Sequence, residues 1–223
     1  MPFDLVNTFL LVDDDGQLTL VDAGVTGSPS RIVSAMRAAG YDPRDVTRIV
    51  ATHGHNDHVG GLAGVAEQTG AEVVAHSDDA ADIQAGRGAP VDRRGWLGRL
   101  RSRNFGSPAC EVDRELTDGE VLDSAGGVLV VHTPGHTPGH VSLLHLDSRT
   151  LITGDAVWNM NSRRTWPSLA VCSNISQTKE TAHRLGELDY RNAAFTHGPE
   201  IRGTGRDAVR SFLANPRPFR MFL

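Results

Sequence analysis

Residues 53–58 have the sequence His-Gly-His-Asn-Asp-His, and this hexapeptide is the most informative motif in the chain. Three imidazoles and one carboxylate fall within six residues, a density that is improbable unless the segment binds metal. Imidazole nitrogen and carboxylate oxygen together suit zinc or another first-row divalent cation. Residues 47–51 are rich in β-branched side chains and predict a strand, whereas residues 58–68 predict a helix. The hexapeptide is therefore expected on a turn from strand to helix.

Three more histidines or aspartates follow predicted strands elsewhere in the chain. Residues 128–132 run into His136, residues 150–153 into Asp155, and residues 193–196 into His197. Ligand sites in α/β folds gather at the carboxyl ends of strands. The hexapeptide already offers four ligands, which crowd a single tetrahedral site. The sequence therefore predicts two cations that share the hexapeptide and these later residues.

The remaining pattern predicts strands alternating with helices. Further strands are predicted over residues 7–12, 18–21, 72–75 and 141–146, and further helices over residues 29–39, 78–85, 176–188 and 206–214. No linker or repeat divides the chain, so we expect a single domain over residues 1–223. This alternation of strands and helices favours two β-sheets, or one large sandwich, with helices outside.

The ordered set of motifs resembles that of the metallo-β-lactamase-fold hydrolases. The matching residues are the HxHxDH signature at 53–58, followed by His136, Asp155 and His197. Asp22 corresponds to the first aspartate of the family, which is not a metal ligand. The resemblance spans residues 7–197. It implies an α/β (α+β) fold, an αββα four-layer sandwich with a dinuclear site in the cleft between the edges of the sheets.

The resemblance also implies a role for each matching side chain. It places His53, His55 and His136 on a first metal ion. It places Asp57, His58 and His197 on a second ion, with Asp155 bridging the two. The cofactor is expected to be two divalent ions, zinc first, with iron or manganese as alternatives.

A bridging hydroxide is then the expected nucleophile, because divalent ions lower the pKa of bound water toward about 7. Asp57 is the expected catalytic residue, since its carboxylate would orient the hydroxide. Asp22 and His140 are expected to support the ligands from behind. Trp158 and Asn159, just past Asp155, and His76, just after a strand, are candidates for the substrate pocket.

Composition constrains the class of partner. The chain has 223 residues, a net charge of −5 and 39% hydrophobic residues, which is typical of a globular protein. Nucleic acid is not an expected partner of such an acidic chain, and no apolar run approaches the roughly 18 residues that span a bilayer. We expect a cytoplasmic protein, because no leader is recognisable, with a small-molecule substrate and no membrane partner.

Two other segments have simple interpretations. Cys110 and Cys172 stand far apart and are expected to be buried or idle thiols. Residues 86–107 contain six arginines and predict a long loop. This loop is a candidate for contacts with an anionic substrate, and a solvated surface loop explains it equally well.

Differences between this sequence and the motifs of related enzyme families narrow the class of reaction that we expect. Class B β-lactamases lack an aspartate at the position of Asp155. Glyoxalase II shares the Thr-Pro-Gly-His repeat of residues 133–140 but adds a helical domain, which we do not expect after His197. We therefore expect hydrolysis of an ester-type bond, with a lactone or thioester preferred and a phosphodiester as the third class.

Two function classes stand beside a dinuclear hydrolase. One is an oxidoreductase similar to the persulfide dioxygenases, which use a single iron and a similar signature. The other is a non-catalytic metal-binding module. The second requires a closed coordination sphere or a missing ligand, and the sequence lacks none of the expected ligands.

Overall fold

Two five-stranded β-sheets form the centre of the molecule. The computed structural model describes residues 6–90 and 106–216. The strands of the first sheet are β1 (Phe9–Val12), β2 (Leu18–Val21), β3 (Val46–Val50), β4 (Glu72–His76) and β5 (Arg114–Leu116). They lie side by side in that order, with β1 antiparallel to β2 and every later pair parallel.

The second sheet comes from the second half of the chain. Its strands are β6 (Val121–Leu122), β7 (Val128–His132), β8 (Val141–His145), β9 (Thr150–Ile152) and β12 (Asn192–Ala194). Across the sheet the order is β12-β9-β8-β7-β6, with β12 parallel to β9 and the other pairs antiparallel. A separate hairpin joins β10 (Trp158–Met160) to β11 (Arg163–Thr165).

Helices cover the outer faces of the two sheets. They are α1 (Pro29–Ala38), α2 (Asn56–Val59), α3 (Leu62–Thr69), α4 (Ser77–Gln84), α5 (Ile175–Glu187) and α6 (Gly205–Ala214). Side chains of α1, α3 and α4 pack on the first sheet, and those of α5 and α6 pack on the second. None of the helices in the described ranges is long and apolar enough to cross a membrane.

Alternating side chains build three apolar layers. On β2, Leu20 packs with the helices of the first sheet, whereas the next residue, Val21, packs between the sheets. On β9, Leu151 packs with the helices of the second sheet and Ile152 packs between the sheets. This alternation follows from the two-residue period of a strand. The order helix, sheet, sheet, helix confirms the predicted αββα four-layer sandwich.

The loops that carry the predicted ligands lie where the two sheets are joined. Val141 N, at the start of β8, donates a hydrogen bond to Thr52 O at 2.9 Å. Asn7 N donates to Thr196 O at 2.7 Å. These backbone bonds connect the loop after β3 to the second sheet, and the segment before β1 to the loop after β12. The fold therefore positions the ligand loops of both sheets at a common edge.

The helix predicted over residues 58–68 is two helices, α2 and α3, with a break at Gly60 and Gly61. A Cβ atom on Gly61 would lie 2.1 Å from Ala23 O, and one on Gly60 would lie 2.4 Å from Asn56 O. Only glycine permits this approach. The break packs the loop after β2 directly against α2.

Other differences from the predicted elements have local causes. α5 begins at Ile175 because Asn174, rather than Ser176, accepts the capping hydrogen bond from Gln177 N. β5, β6, β10 and β11, which have two or three residues each, were not predicted. In the predicted loop over residues 86–107, the described parts, 86–90 and 106–107, contain neither helix nor strand. Residues 91–105 lie outside the described residues.

Candidate metal centre

Three histidines from two loops form the first group of candidate ligands, here called group one. His53 and His55 lie in the segment after β3, and His136 lies in the loop after β7. One nitrogen from each lies within 4.8 Å of the others. His55 Nδ1 is 2.9 Å from His136 Nε2. The structure thus brings together the three residues that were predicted for the first ion.

Group two consists of Asp57 and His58 from α2, and His197 from the loop after β12. Asp57 Oδ2 lies 3.7 Å from His58 Nε2 and 3.6 Å from His197 Nε2. The His58 side chain is fully buried, whereas that of Asp57 is 42% exposed. The three residues predicted for the second ion therefore also converge, at the more open side of the centre.

Asp155 lies between the two groups. Its Oδ2 atom is 3.1 Å from His136 Nε2 and 3.3 Å from His197 Nε2. Its Oδ1 atom is 3.6 Å from His58 Nε2 and accepts a hydrogen bond from Thr196 Oγ1 at 2.7 Å. One buried carboxylate thus contacts members of both groups, and the threonine hydroxyl holds it in place.

The converging atoms fit divalent cations. The Nε2 atoms of His53, His58 and His197 are buried and have no hydrogen-bond partner in the described part of the chain. Two nitrogens on one tetrahedral zinc, each at about 2.0–2.1 Å, lie roughly 3.3 Å apart. The spacings between neighbouring donor atoms, 2.9 Å to 4.0 Å, bracket that value. Buried lone pairs at this spacing are costly unless a cation or protons lie between them.

Asp22 orients two of the histidines from behind. Its Oδ2 atom accepts a hydrogen bond from His58 Nδ1 at 2.8 Å and another from Thr52 Oγ1 at 2.8 Å. Since the Thr52 hydroxyl donates to Asp22, it accepts from His53 Nδ1 at 3.1 Å. Both histidines then carry their proton on Nδ1, which leaves the lone pair of Nε2 directed at the centre.

His136 has an unusual partner behind it. Its Nδ1 atom lies 3.5 Å from Cys172 Sγ, and this thiol lies 3.3 Å from Ser168 O. The thiol donates to that carbonyl, so the sulfur is free to accept the Nδ1 proton of His136. The Nε2 atom of His136 then has its lone pair directed at the centre. Cys172 is fully buried, and burial raises the pKa of its thiol to about 12. Both cysteines are free and buried, which confirms the predicted burial of the two thiols.

His140 lies beside the centre without facing it as a ligand. Its Nε2 atom accepts a hydrogen bond from Asp155 N at 2.7 Å, and its Nδ1 atom lies 3.1 Å from Thr133 O. Both ring nitrogens are therefore occupied by the backbone. Burial lowers the pKa of His140 to about 3, which keeps the ring neutral. His140 therefore lies behind the backbone of Asp155, and its supporting role stays a prediction.

Asp79, which was not among the predicted site residues, connects the two ligand loops. Its carboxylate accepts hydrogen bonds from Gly54 N at 2.8 Å, from Thr137 Oγ1 at 2.6 Å and from Gly139 N at 2.7 Å. Gly54 separates the first two histidines of the hexapeptide. Burial raises the pKa of Asp79, while these hydrogen bonds oppose that change. No motif marks this residue, because an aspartate in the first turn of a helix is common.

Burial and charge set the protonation of the centre. Burial lowers the pKa of His53 and of His55 well below the ordinary value of 6.5. Burial also lowers the pKa of His58, but the negative charges of three carboxylates outweigh the effect of burial and raise this pKa to about 10. The carboxylate of Asp57 contributes most. Burial opposes ionisation of Asp155, yet the imidazoles around it, first His197, hold its pKa well below 3.8. Negative charge at the centre thus attracts protons or other cations.

The predicted pocket residues are separated by the fold. Trp158 lies beside the centre, with its ring centroid 4.7 Å from that of His197. Asn159 is buried and its Nδ2 atom donates to Pro199 O at 2.6 Å, which anchors the loop of His197. His76 caps α4 by accepting from Asp78 N, and its ring stacks on that of His132 at 3.9 Å. Of the three, only Trp158 lines the groove that adjoins the centre.

Sequence comparison identifies known proteins that are similar to this chain. A chicken protein named acyl-coenzyme A thioesterase MBLAC2 is 33% identical over 162 residues, which cover 67% of this chain and 53% of the relative. The Bacillus subtilis protein named probable metallo-hydrolase YflN is 29% identical over 66% of this chain and 58% of its own length. The chain thus spans little more than half the length of these curated relatives.

A solved structure and a family model also match this chain. The Rm3 metallo-beta-lactamase superposes with a TM-score of 0.73 over 95% of this chain and 84% of its own, at 20% identity, which shows the shared fold. The family model described as the metallo-beta-lactamase superfamily matches residues 1–210. With the sandwich and the ligand loops already in place, this match shows that the chain belongs to the metallo-beta-lactamase superfamily.

Proposed function

We propose that this protein is a metal-dependent hydrolase that cleaves a thioester of a small-molecule substrate, with a lactone as the second candidate. The observation that carries the proposal is the convergence of seven side chains on one open cleft, where the Nε2 atoms of His53, His58 and His197 are buried without a hydrogen-bond partner in the described part of the chain. The seven side chains are those of His53, His55, Asp57, His58, His136, Asp155 and His197. The chicken relative named as a thioesterase supports the same bond type.

The donor set supports a centre for two divalent cations. Groups one and two each supply three ligands, and Asp155 contacts both. Five imidazoles and two carboxylates suit zinc, with iron or manganese as alternatives. When bound, such cations lower the pKa of a water molecule and polarise a carbonyl oxygen. Asp22, Thr52 and His140 hold the ligands and their loops in the orientation that this requires.

We infer that Asp57 orients the attacking water. Its side chain is 42% exposed, whereas those of His58 and Asp155 are 0% and 3% exposed. An exposed carboxylate oxygen at the mouth of the centre accepts a hydrogen bond from water and directs it at a substrate carbonyl. We therefore assign Asp57 as the catalytic residue of the chain.

The leaving group favours a thioester over a lactone. A thiol of ordinary pKa, about 8.5, leaves as a thiolate with little need for a proton, whereas an alkoxide is a far stronger base that requires one. Among the described titratable groups around the centre, Asp22, Asp79 and His140 are buried and hydrogen-bonded to the ligand loops. None of these three is positioned to protonate an alcohol, so a lactone would depend on Asp57 to return the proton of the attacking water, whereas a thioester would not.

The test is hydrolysis of three substrate types before and after metal removal. The substrates are acetyl and butyryl thioesters of N-acetylcysteamine, an acyl homoserine lactone, and bis(p-nitrophenyl) phosphate. We expect the thioesters to be cleaved fastest, activity to be lost with a chelator, and two equivalents of metal by elemental analysis. Activity that is indifferent to metal removal contradicts the proposal.

The same preparation tests the alternative functions. A single iron per chain, together with oxygen uptake in the presence of a glutathione persulfide, would identify an oxidoreductase instead. Two tightly held cations with no hydrolysis of any substrate would identify a metal-binding module. Cleavage of the phosphodiester alone would retain a hydrolase but reject the acyl substrate.

A further inference from the structure

A groove of about 960 Å³ extends from the candidate metal centre along helix α1. Asp57 and His197 line one end of it, beside Trp158. Ala39 and Tyr41, at the far end of α1, also line it. The groove therefore begins at the atoms where the scissile bond is proposed to lie and continues well beyond them.

The walls of the groove are mainly hydrocarbon. Leu10 and Leu20 contribute from the first sheet, Ile32 and Met36 from α1, and Met160 from the β10–β11 hairpin. Beyond the centre itself, the lining contains no carboxylate and no second set of metal ligands among the described residues. Its polar members there are one guanidinium and four hydroxyl groups, those of Arg31, Thr8, Ser28, Tyr41 and Ser168. Such a mainly apolar surface removes a hydrocarbon chain from water.

Apolar side chains along the groove remain exposed to solvent in the isolated chain. Val25 is 42% exposed and Val171 is 37% exposed, and both line the groove. On α1, Val33 and Met36 are buried, while Ala35 and Ala39 are exposed along the groove. Alanines at these positions leave room where larger side chains would fill the groove.

We propose that the groove binds the unbranched acyl chain of the substrate, with the carbonyl carbon at the end formed by Asp57 and His197. This inference rests on the proposed thioester or lactone hydrolysis and adds the chain-length class. From Arg31 to Ala39 the helix advances roughly 12 Å. An extended chain advances about 1.2 Å per bond, as a peptide does over its three bonds per residue. The stretch of the groove beside α1 therefore matches about ten carbons of an extended acyl group.

The first experiment is a chain-length series. Thioesters of N-acetylcysteamine with acyl groups from acetyl to hexadecanoyl are compared by kcat/KM. We expect kcat/KM to rise by up to about fourfold per added methylene and to stop rising near ten carbons, since each buried methylene contributes through transfer from water. Equal kcat/KM from acetyl to decanoyl would overturn the inference while leaving thioester hydrolysis in place.

The second experiment narrows the groove. Ala35→Trp places a large side chain in the groove, whereas Ala38→Trp places the same side chain on an exposed position of α1 that does not line it. We expect Ala35→Trp to lower the ratio of decanoyl to acetyl kcat/KM at least tenfold and Ala38→Trp to leave it unchanged. A shift in the dimer population with Ala35→Trp, and no change in that ratio, would assign the groove to a second copy and overturn the inference.

Decanoate binding gives a readout that is independent of turnover. Calorimetry of the purified protein should show decanoate binding at least tenfold tighter than butyrate, and the difference should vanish in Ala35→Trp. Decanoate binding without hydrolysis of any acyl thioester or lactone would reject the proposed reaction but keep the groove as an acyl site. Hydrolysis without a difference between decanoate and butyrate would reject the groove and keep the reaction.

Discussion

Asp22 Oδ2 lies 2.8 Å from His58 Nδ1, and this contact decides which nitrogen of His58 faces the candidate metal centre. The carboxylate keeps the proton on Nδ1, so the lone pair of Nε2 points toward Asp57 and Asp155. Asp22 also has a φ of 60°, a left-handed conformation that is uncommon outside glycine. The residue is thus held in a strained conformation that places it behind His58.

Asp22→Asn should weaken metal binding without disturbing the fold. Asparagine tolerates the left-handed conformation, but an amide nitrogen facing His58 would move the proton to Nε2. We expect metal affinity to fall about 10–100-fold, as for other residues that orient ligands. Titration with a competing chelator measures this change, and the circular dichroism spectrum serves as the control. Unchanged affinity would show that the contact does not set the tautomer.

Asp155→Ala should remove metal and activity together. The carboxylate contacts His136 and His197 from different groups, so its loss opens both sites. Elemental analysis and thioester hydrolysis are measured on the same sample. Asp14→Ala, in the exposed turn between β1 and β2, is the matched control and should leave both unchanged. A fully metallated and active Asp155→Ala protein would refute the bridging assignment.

Asp79→Asn should destabilise the fold. Two backbone N–H groups, of Gly54 and Gly139, donate to different oxygens of Asp79, and an amide provides only one oxygen. An unsatisfied buried N–H costs about 1–3 kcal/mol, which we expect as the loss in the free energy of unfolding in urea. The adjacent residue gives the comparison, because Asp78 is 55% exposed and Asp78→Asn should cost less than about 1 kcal/mol. Equal losses in the two variants would argue against a joining role for Asp79.

Removal of metal should lower the melting temperature. Without cations, the ligand atoms converge with their charges and lone pairs uncompensated. A ligand at 100 times its Kd stabilises a protein by about 2.7 kcal/mol, and a domain of this size shifts by about 2–4 °C per kcal/mol. We therefore expect a decrease of roughly 5–10 °C after treatment with EDTA, with recovery on adding zinc. Asp155→Ala should show a much smaller decrease.

Asp118 should contribute to the acid limit of stability. Burial raises its pKa, but hydrogen bonds from Arg184 and from His132 N outweigh this and lower the pKa below 3.8. A carboxyl with a lowered pKa in the folded state stabilises the fold at neutral pH, and this contribution is lost as pH falls through that pKa. Both side chains are nearly half exposed, so we expect less than about 1 kcal/mol.

The measurement for Asp118 is urea unfolding of the wild type and of Asp118→Asn across the acid range. The variant should be less stable at pH 7, and the two proteins should converge as pH falls below 4. Asp123→Asn, at an exposed position without a described ion pair of its own, is the control. A stability difference that stays constant down to pH 3 would contradict the assignment.

The predicted ligands could be found from sequence because their chemistry is concentrated and ordered. Three histidines and an aspartate in residues 53–58 have few uses other than metal binding, and His136, Asp155 and His197 each follow an apolar strand. Strand direction then predicts a common edge without any knowledge of contacts. The alternation of strands and helices predicted two sheets or one large sandwich with helices outside, and the resemblance to the family implied the four-layer sandwich, which is confirmed. Residue roles at the centre stay predictions until metal is measured.

Tertiary structure alone decided what supports and surrounds those residues. Asp79 and Cys172 touch the ligand loops only because α4 and the segment before α5 fold against them. The groove along α1 is lined by residues of the first sheet and by residues of the β10–β11 hairpin, which are far apart in sequence. Metal-ligand motifs are local and chemically restrictive, so they are visible in one dimension. A hydrogen bond or an apolar surface can be formed by many residue types, and its partners exist only once the chain has packed.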